Sequence, residues 1–154
     1  MKNKFILSVI AITITATILY SCKKDVSGCM DKDSVNYNSS ATKDDGSCKY
    51  QGKVVYWWKQ PMADSCAANG VSTIKVYLNG TFQGTLPVSS QSWSAAPSCG
   101  ASSTVTATID LGTSKSKSVS EKMEAYDGSG NLLLSTTDNI TLTANTCVAY
   151  EQTW

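Results

Sequence analysis

Acids, cysteines and tryptophans are the side chains of this 154-residue chain that could do chemistry, and the missing types narrow the field further. Histidine is absent, which removes serine-histidine and cysteine-histidine catalysis and histidine-held zinc. All 13 basic residues are lysine. Without arginine there is no planar fork for two-point phosphate contact, so nucleic-acid binding is not expected. Chemistry would fall to carboxylates: Asp64, Asp110, Glu121, Glu124, Asp127, Asp138 and Glu151. A glycoside hydrolase needs two of them about 5 to 9.5 Å apart. Nothing in their spacing selects a pair. Glu121 and Glu124 differ by an odd number, so on one strand they face opposite ways, and both read as solvated strand positions. The expectation is therefore a protein that is not an enzyme, with a carboxylate-based glycoside hydrolase as the least favoured reading.

The compartment decides how the cysteines are read, and the N-terminus bears on it. Lys2 and Lys4 precede an apolar run from Phe5 to Tyr20, the layout of a secretory signal. The run is interrupted by Ser8, Thr13, Thr15 and Thr17 and is short for a bilayer span. It ends in "LYSCKKD", with Leu19 three residues and Ser21 one residue before Cys22. This resembles the lipobox of bacterial lipoproteins, and the "SCKKD" junction looks like those of Bacteroidota lipoproteins. The resemblance implies acylation of Cys22 after loss of residues 1–21, and anchorage at the outer membrane or cell surface, with a periplasm-facing protein as the alternative. An ordinary cleaved signal or an uncleaved anchor helix are the competing readings. Loss of residues 1–21 removes two lysines and no acid, leaving 11 lysines against 12 acids. That near-neutral chain has no polybasic patch for lipid headgroups, so acyl chains would have to supply the membrane attachment.

Export favours paired cysteines. Cys29 and Cys48 frame "GCMDKDSVNYNSSATKDDGSC", and a crosslink there would stabilise the fold by roughly 3 kcal/mol through unfolded-chain entropy. The segment has little apolar material beyond Met30, Val35, Tyr37 and Tyr50, so it needs a staple. Asp31, Asp33, Asn36, Asn38, Asp44 and Asp45 could supply oxygen ligands to Ca²⁺, the one cofactor in view. The EF-hand register fails, because the sixth position from Asp31 is Asn36 and the twelfth is Thr42. "DDGS" is also an ordinary turn. A stapled, solvated spacer is thus favoured over a calcium cage. The landmarks Gly28, Cys29, Asp31, Asn36 to Asn38 and Asp44 to Cys48 resemble a short module of exported Bacteroidota proteins, which supports export and the Cys29–Cys48 pair. "DSV" at Asp33 to Val35 resembles an O-glycosylation acceptor of that phylum and implies a modified Ser34. Of the rest, Cys99 with Cys147 is favoured over Cys66 with Cys99.

Positioning falls to short alternating runs from residue 51 onward, with no apolar period of 3.6 held for three turns. "KVVYWWK" reads as a strand with Val54, Tyr56 and Trp58 on one face and Val55 and Trp57 on the other. Ile74, Val76 and Leu78 alternate with Lys75 and Tyr77, Asn79-Gly80 makes a two-residue hairpin turn, and Thr81 to Leu86 returns until Pro87 stops it. The hairpin "IKVYLNGTFQGTL" resembles that of PEGA-type surface modules. Val105, Ala107, Ile109 and Leu111 share a face, with Ser118 to Tyr126 the expected partner strand. Leu132 to Ser135, Ile140 to Ala144 and Val148 to Trp154 complete the set. Seven or eight strands in residues 51–154 predict an all-β sandwich of immunoglobulin-like or fibronectin-like size, with a small barrel as the alternative. The expected division is a signal at 1–21, a lipidated linker at 22–28, a stapled module at 29–50 and the sandwich at 51–154.

The function expected from this layout is an envelope module, anchored through lipid, that binds a glycan or an envelope protein. Trp57, Trp58 and Trp93 motivate it, because indole faces stack on sugar rings and dominate interfaces. Adjacent residues of a strand point to opposite faces, so one of Trp57 and Trp58 should be core, and Trp93 in a serine-rich loop is the better candidate. A structural or assembly part of an envelope complex is the alternative. The overall pattern looks like that of small Bacteroidota lipoproteins.

Overall fold

The structure is a computed structural model that describes residues 24–90 and 92–153. The expected signal segment and Cys22 lie outside the described residues. Two short strands, β1 (Ser27–Gly28) and β2 (Lys43–Asp44), pair in parallel within the N-terminal segment. The body contains β3 (Tyr50–Trp57), α1 (Gln60–Ala68), β4 (Thr73–Leu78), β5 (Thr81–Pro87), β6 (Val105–Gly112), β7 (Ser116–Tyr126), β8 (Leu132–Thr143) and β9 (Cys147–Glu151). Its seven strands form a three-stranded sheet, β6-β3-β9, and a four-stranded sheet, β5-β4-β7-β8. This is the expected sandwich, and no barrel closes.

Alternation sets the core. Val54, Tyr56 and Trp58 from one sheet and Ile74, Val76, Leu78, Val119 and Met123 from the other belong to a single buried cluster. At the Asn79-Gly80 turn both residues have positive φ, 47° and 77°, as a tight two-residue hairpin requires. Two glycines let the sheets approach closely. A Cβ on Gly84 of β5 would lie 2.7 Å from Val105 Cγ2, and one on Gly52 of β3 would lie 3.0 Å from Leu142 Cβ.

Three expectations are corrected. Strand β6 pairs antiparallel with β3, and β7 lies between β4 and β8. The short connection after Leu111 looks like a hairpin loop, but it carries the chain from one sheet to the other; an apolar alternation fits either partner. Leu132–Thr143 is one 12-residue strand instead of two. Its polar centre reads as a turn, yet its register with β7 is unbroken from Ser116↔Thr143 to Ala125↔Leu134. Third, α1 was not expected. It buries only Met62, Ala63 and Cys66, too few apolar positions over nine residues for a periodic signal. Gly70, at φ 74°, ends it, with Val71 N–H donating to Cys66 O at 2.9 Å.

The N-terminal segment is more than a spacer. Cys29 and Cys48 form a disulfide and belong, with Tyr50, to the same buried cluster as the sandwich. Tyr50 is already the first residue of β3, so a boundary between 50 and 51 falls inside a strand. The Tyr50 hydroxyl donates to Asp31 Oδ2 at 2.9 Å, and Lys115, in the β6–β7 connection, bonds Asp31 at 2.6 Å and Asp33 at 3.3 Å. Cys99 and Cys147 form the second disulfide, as favoured, and Cys66 is a free, buried thiol. Burial raises its pKa, so it is not an activated nucleophile.

Candidate functional site

The end of β9 and the two residues after it, Tyr150, Glu151, Gln152 and Thr153, meet residues of the β7–β8 pair. They enclose a hollow of about 290 Å³ with Glu121, Thr136 and Asp138 on the opposite wall. Glu121 and Asp138 are direct cross-strand partners, so both side chains project from the same face. Glu121, Met123 and Ala125 occupy the inward phase of β7, and all three are buried. Glu121 is only 3% exposed, which corrects its reading as a solvated position.

Its surroundings do not match a charge. The Glu121 carboxylate takes a long bond from Gln152 Nε2, at 3.5 Å, and no lysine borders the hollow. Burial, reinforced by the negative charge of Asp138, pushes its pKa up to about 7. Tyr56 of β3 packs edge-on against Tyr150, with ring centroids 6.2 Å apart. Its hydroxyl has no hydrogen-bond partner among the described residues, and its pKa is raised by burial first and by Glu121 second. The arrangement can hold a proton near neutrality or meet a cation.

Glu151, Gln152 and Thr153 also border a second hollow, whose other wall is Lys59, Pro61 and Met62. Lys59 and Pro61 in turn border a third, which ends at Trp93. Three hollows thus lie in series between Asp138 and Trp93, each sharing wall residues with the next. The Lys59–Glu151 ion pair, 2.9 Å long, stands midway. Pro61 in the first turn of α1 starts the helix here, where its missing N–H is not needed.

The tryptophans separate. Trp58 is fully buried and Trp57 is 5% exposed, so neither offers a face to a ligand and the expected platform is corrected to Trp93 alone. In the central strand of a covered sheet both faces are buried, which alternation does not reveal. Trp93 is half-buried and held by its N–H donating to Trp58 O at 2.9 Å.

The remaining candidate acids do other things. Glu124, on the outer face of β7, bonds Lys122 at 2.7 Å and the Tyr126 hydroxyl at 2.7 Å, and Lys122 first and Tyr126 second lower its pKa to about 2. Asp127 caps the β7–β8 turn by accepting from Ser129 and Asn131. Asp64 accepts from Gln60, and Asp110 from the Gly112 N–H.

In the stapled segment, the residues offered for calcium are engaged in turns. Asn36 accepts from Lys49 N–H and donates to Ser47 O, tying the two halves of the loop. Asn38 accepts from Ser40, Asp44 from Gly46 and Asp45 from Ser47. Asp31 and Asp33 share Lys115, and that contact leads the causes that lower the Asp31 pKa to about 2. Among the described residues no three Cys, Asp or Glu side chains converge as a metal would need. Ser34 is 9% exposed and its hydroxyl donates to Asp31 O at 2.8 Å, so the structure corrects its reading as an exposed glycan acceptor.

Sequence reasoning missed the hollow, although one signal for it was present: in "SVSEKMEAY", Glu121 falls in phase with Val119, Met123 and Ala125. An acid in the apolar phase of a strand is a buried acid. Compared with family models, with curated proteins and with solved structures, the chain matches none.

Proposed function

We propose that this protein is an exported, lipid-anchored envelope module that binds a glycan along the hollows between Trp93 and Asp138, without transforming it. The observation that carries this reading is their adjacency: an aromatic face at one end, carboxylates and threonine hydroxyls at the other, and walls shared between neighbouring hollows. Stacking on an indole and hydrogen bonding to hydroxyls and carboxylates are the two contacts a sugar chain offers. The export part is supported by the Cys22 motif, by its likeness to Bacteroidota lipoproteins and by two disulfides, which persist in oxidising compartments.

A glycan array probed with the detergent-solubilised protein and with Trp93→Ala tests it. Retained glycans whose signal falls about tenfold in the variant are expected. A blank array would leave the passive assembly role as the better account. The opposition of Glu121 and Asp138 favours one second reading, a glycoside hydrolase with Glu121 as proton donor. Release of reducing ends from a bound glycan, lost in Glu121→Gln, would replace the binding reading with that one.

A further inference from the structure

The chemistry of the hollow beside Glu121 narrows the ligand class. This step rests on the glycan reading above and specifies the group that enters the acidic end. Glu121 is more than nine-tenths buried and borders the hollow, yet it has only the long bond from the neutral Gln152 amide. The groups that face it are Asp138 from β8, Tyr150 from β9 and the orphaned Tyr56 hydroxyl from β3, and the further acid bordering the hollow is Glu151. None is a cation. Lys59, the ammonium on the adjoining wall, is already bonded to Glu151. A buried carboxyl surrounded by acids and hydroxyls is costly to ionise until a positive charge arrives.

Two kinds of cation could supply that charge, and geometry separates them. A hard metal ion takes about six to eight oxygen ligands, several of them carboxylates, and no such set converges among the described residues. A primary ammonium has three donors in a tripod and needs one carboxylate plus nearby neutral or acidic acceptors. Glu121, Asp138 and the hydroxyls of Thr136 and Tyr150 supply that combination on facing walls. The rest of the path, past Pro61 to Trp93, suits a hydroxylated chain with one flat apolar face.

We infer that the hollow beside Glu121 takes the protonated primary amine of an amino sugar, held by Glu121 and Asp138, with the sugar chain leading past Lys59 and Pro61 to Trp93. The amine and Glu121 exchange a proton on contact: a neutral amine meeting the protonated carboxyl gives the same ion pair as an ammonium meeting the carboxylate, so the site needs no outside proton near neutrality.

The test is calorimetric titration of the detergent-solubilised protein, near neutral pH and at low salt, with fully deacetylated chitosan hexaose, with its N-acetylated counterpart and with spermidine. Binding of the deacetylated hexaose, at least about tenfold weaker for the acetylated form and weakened about tenfold or more by Glu121→Gln, is the expected result. A fold readout, the thermal transition of Glu121→Gln, guards against simple unfolding; Asp138→Asn, at an exposed position, gives the same answer independently. Equal binding of both hexaoses, sensitive to Trp93→Ala, overturns the amine assignment and leaves the glycan reading standing. Spermidine binding as tightly as the deacetylated hexaose, with no effect of Trp93→Ala, overturns the sugar assignment. No binding of any of the three overturns the inference, and the glycan array then decides the broader reading on its own.

Discussion

Glu121 is the residue at which folding and the proposed binding oppose each other. Its pKa is near 4.5 when unfolded and about 7 in the fold, because burial disfavours the charge. Between those values the folded state holds more protons than the unfolded one, so stability falls as pH rises through that window. The full difference corresponds to roughly 3 kcal/mol between pH 4 and pH 8. Replacing Glu121 by Gln should flatten this part of the profile and raise the urea midpoint at pH 8, while leaving it nearly unchanged at pH 4. An unaltered profile would show that Glu121 stays solvated. Asp31 and Glu124 act in the other direction: their pKa values are lowered to about 2 by Lys115 and Lys122, so what they contribute is present above pH 4 and is lost below it. At this scale the sequence revealed the identity of the acids but not their pairing. Strand phase marks Glu121 as inward, whereas its neighbours Tyr150 and Gln152 come from the end of β9 and the residue after it, about 30 positions away, and alternation carries no information about which strands meet.

Single elements were legible where side-chain period and turn chemistry agree, and illegible where partner choice matters. The β4–β5 hairpin could be read from Ile74, Val76, Leu78 and the Asn79-Gly80 turn. Helix α1 could not, since three buried residues over nine positions give a weak period. Nor could the sheet membership of β6 and β7. Contact between sheets makes its own prediction. Gly84 has no room for a methyl group, because Val105 is β-branched and stiff at χ1 and sits 2.7 Å from the position a Cβ would take. Gly84→Ala should destabilise the protein by about 1 to 3 kcal/mol, read as a lowered denaturant midpoint with an unchanged slope. Gly84→Ala combined with Val105→Ala should recover part of that loss. A neutral single variant would mean that the two edges are not in register contact.

For the molecule as a whole, covalent links hold its parts together, and the proposed acyl link at Cys22 would set where it is held. Replacing Cys99 and Cys147 by serine opens a connection with a sequence separation of 48 and should lower stability by about 4 kcal/mol. Thermal unfolding of the double variant beside the oxidised parent measures this; equal transition temperatures would show the bond to be dispensable. Cys22→Ser should move the protein from the detergent phase to the aqueous phase in cloud-point partitioning. Unchanged partitioning would end the lipid-anchor reading. The arrangement of β3 beside β9 has a mechanical outcome. The earliest long strand and the last one run parallel through five paired positions, Lys53↔Cys147 to Trp57↔Glu151. Tension applied between the two ends of the body pulls these strands past each other, so their hydrogen bonds are loaded in shear and yield together instead of peeling one at a time.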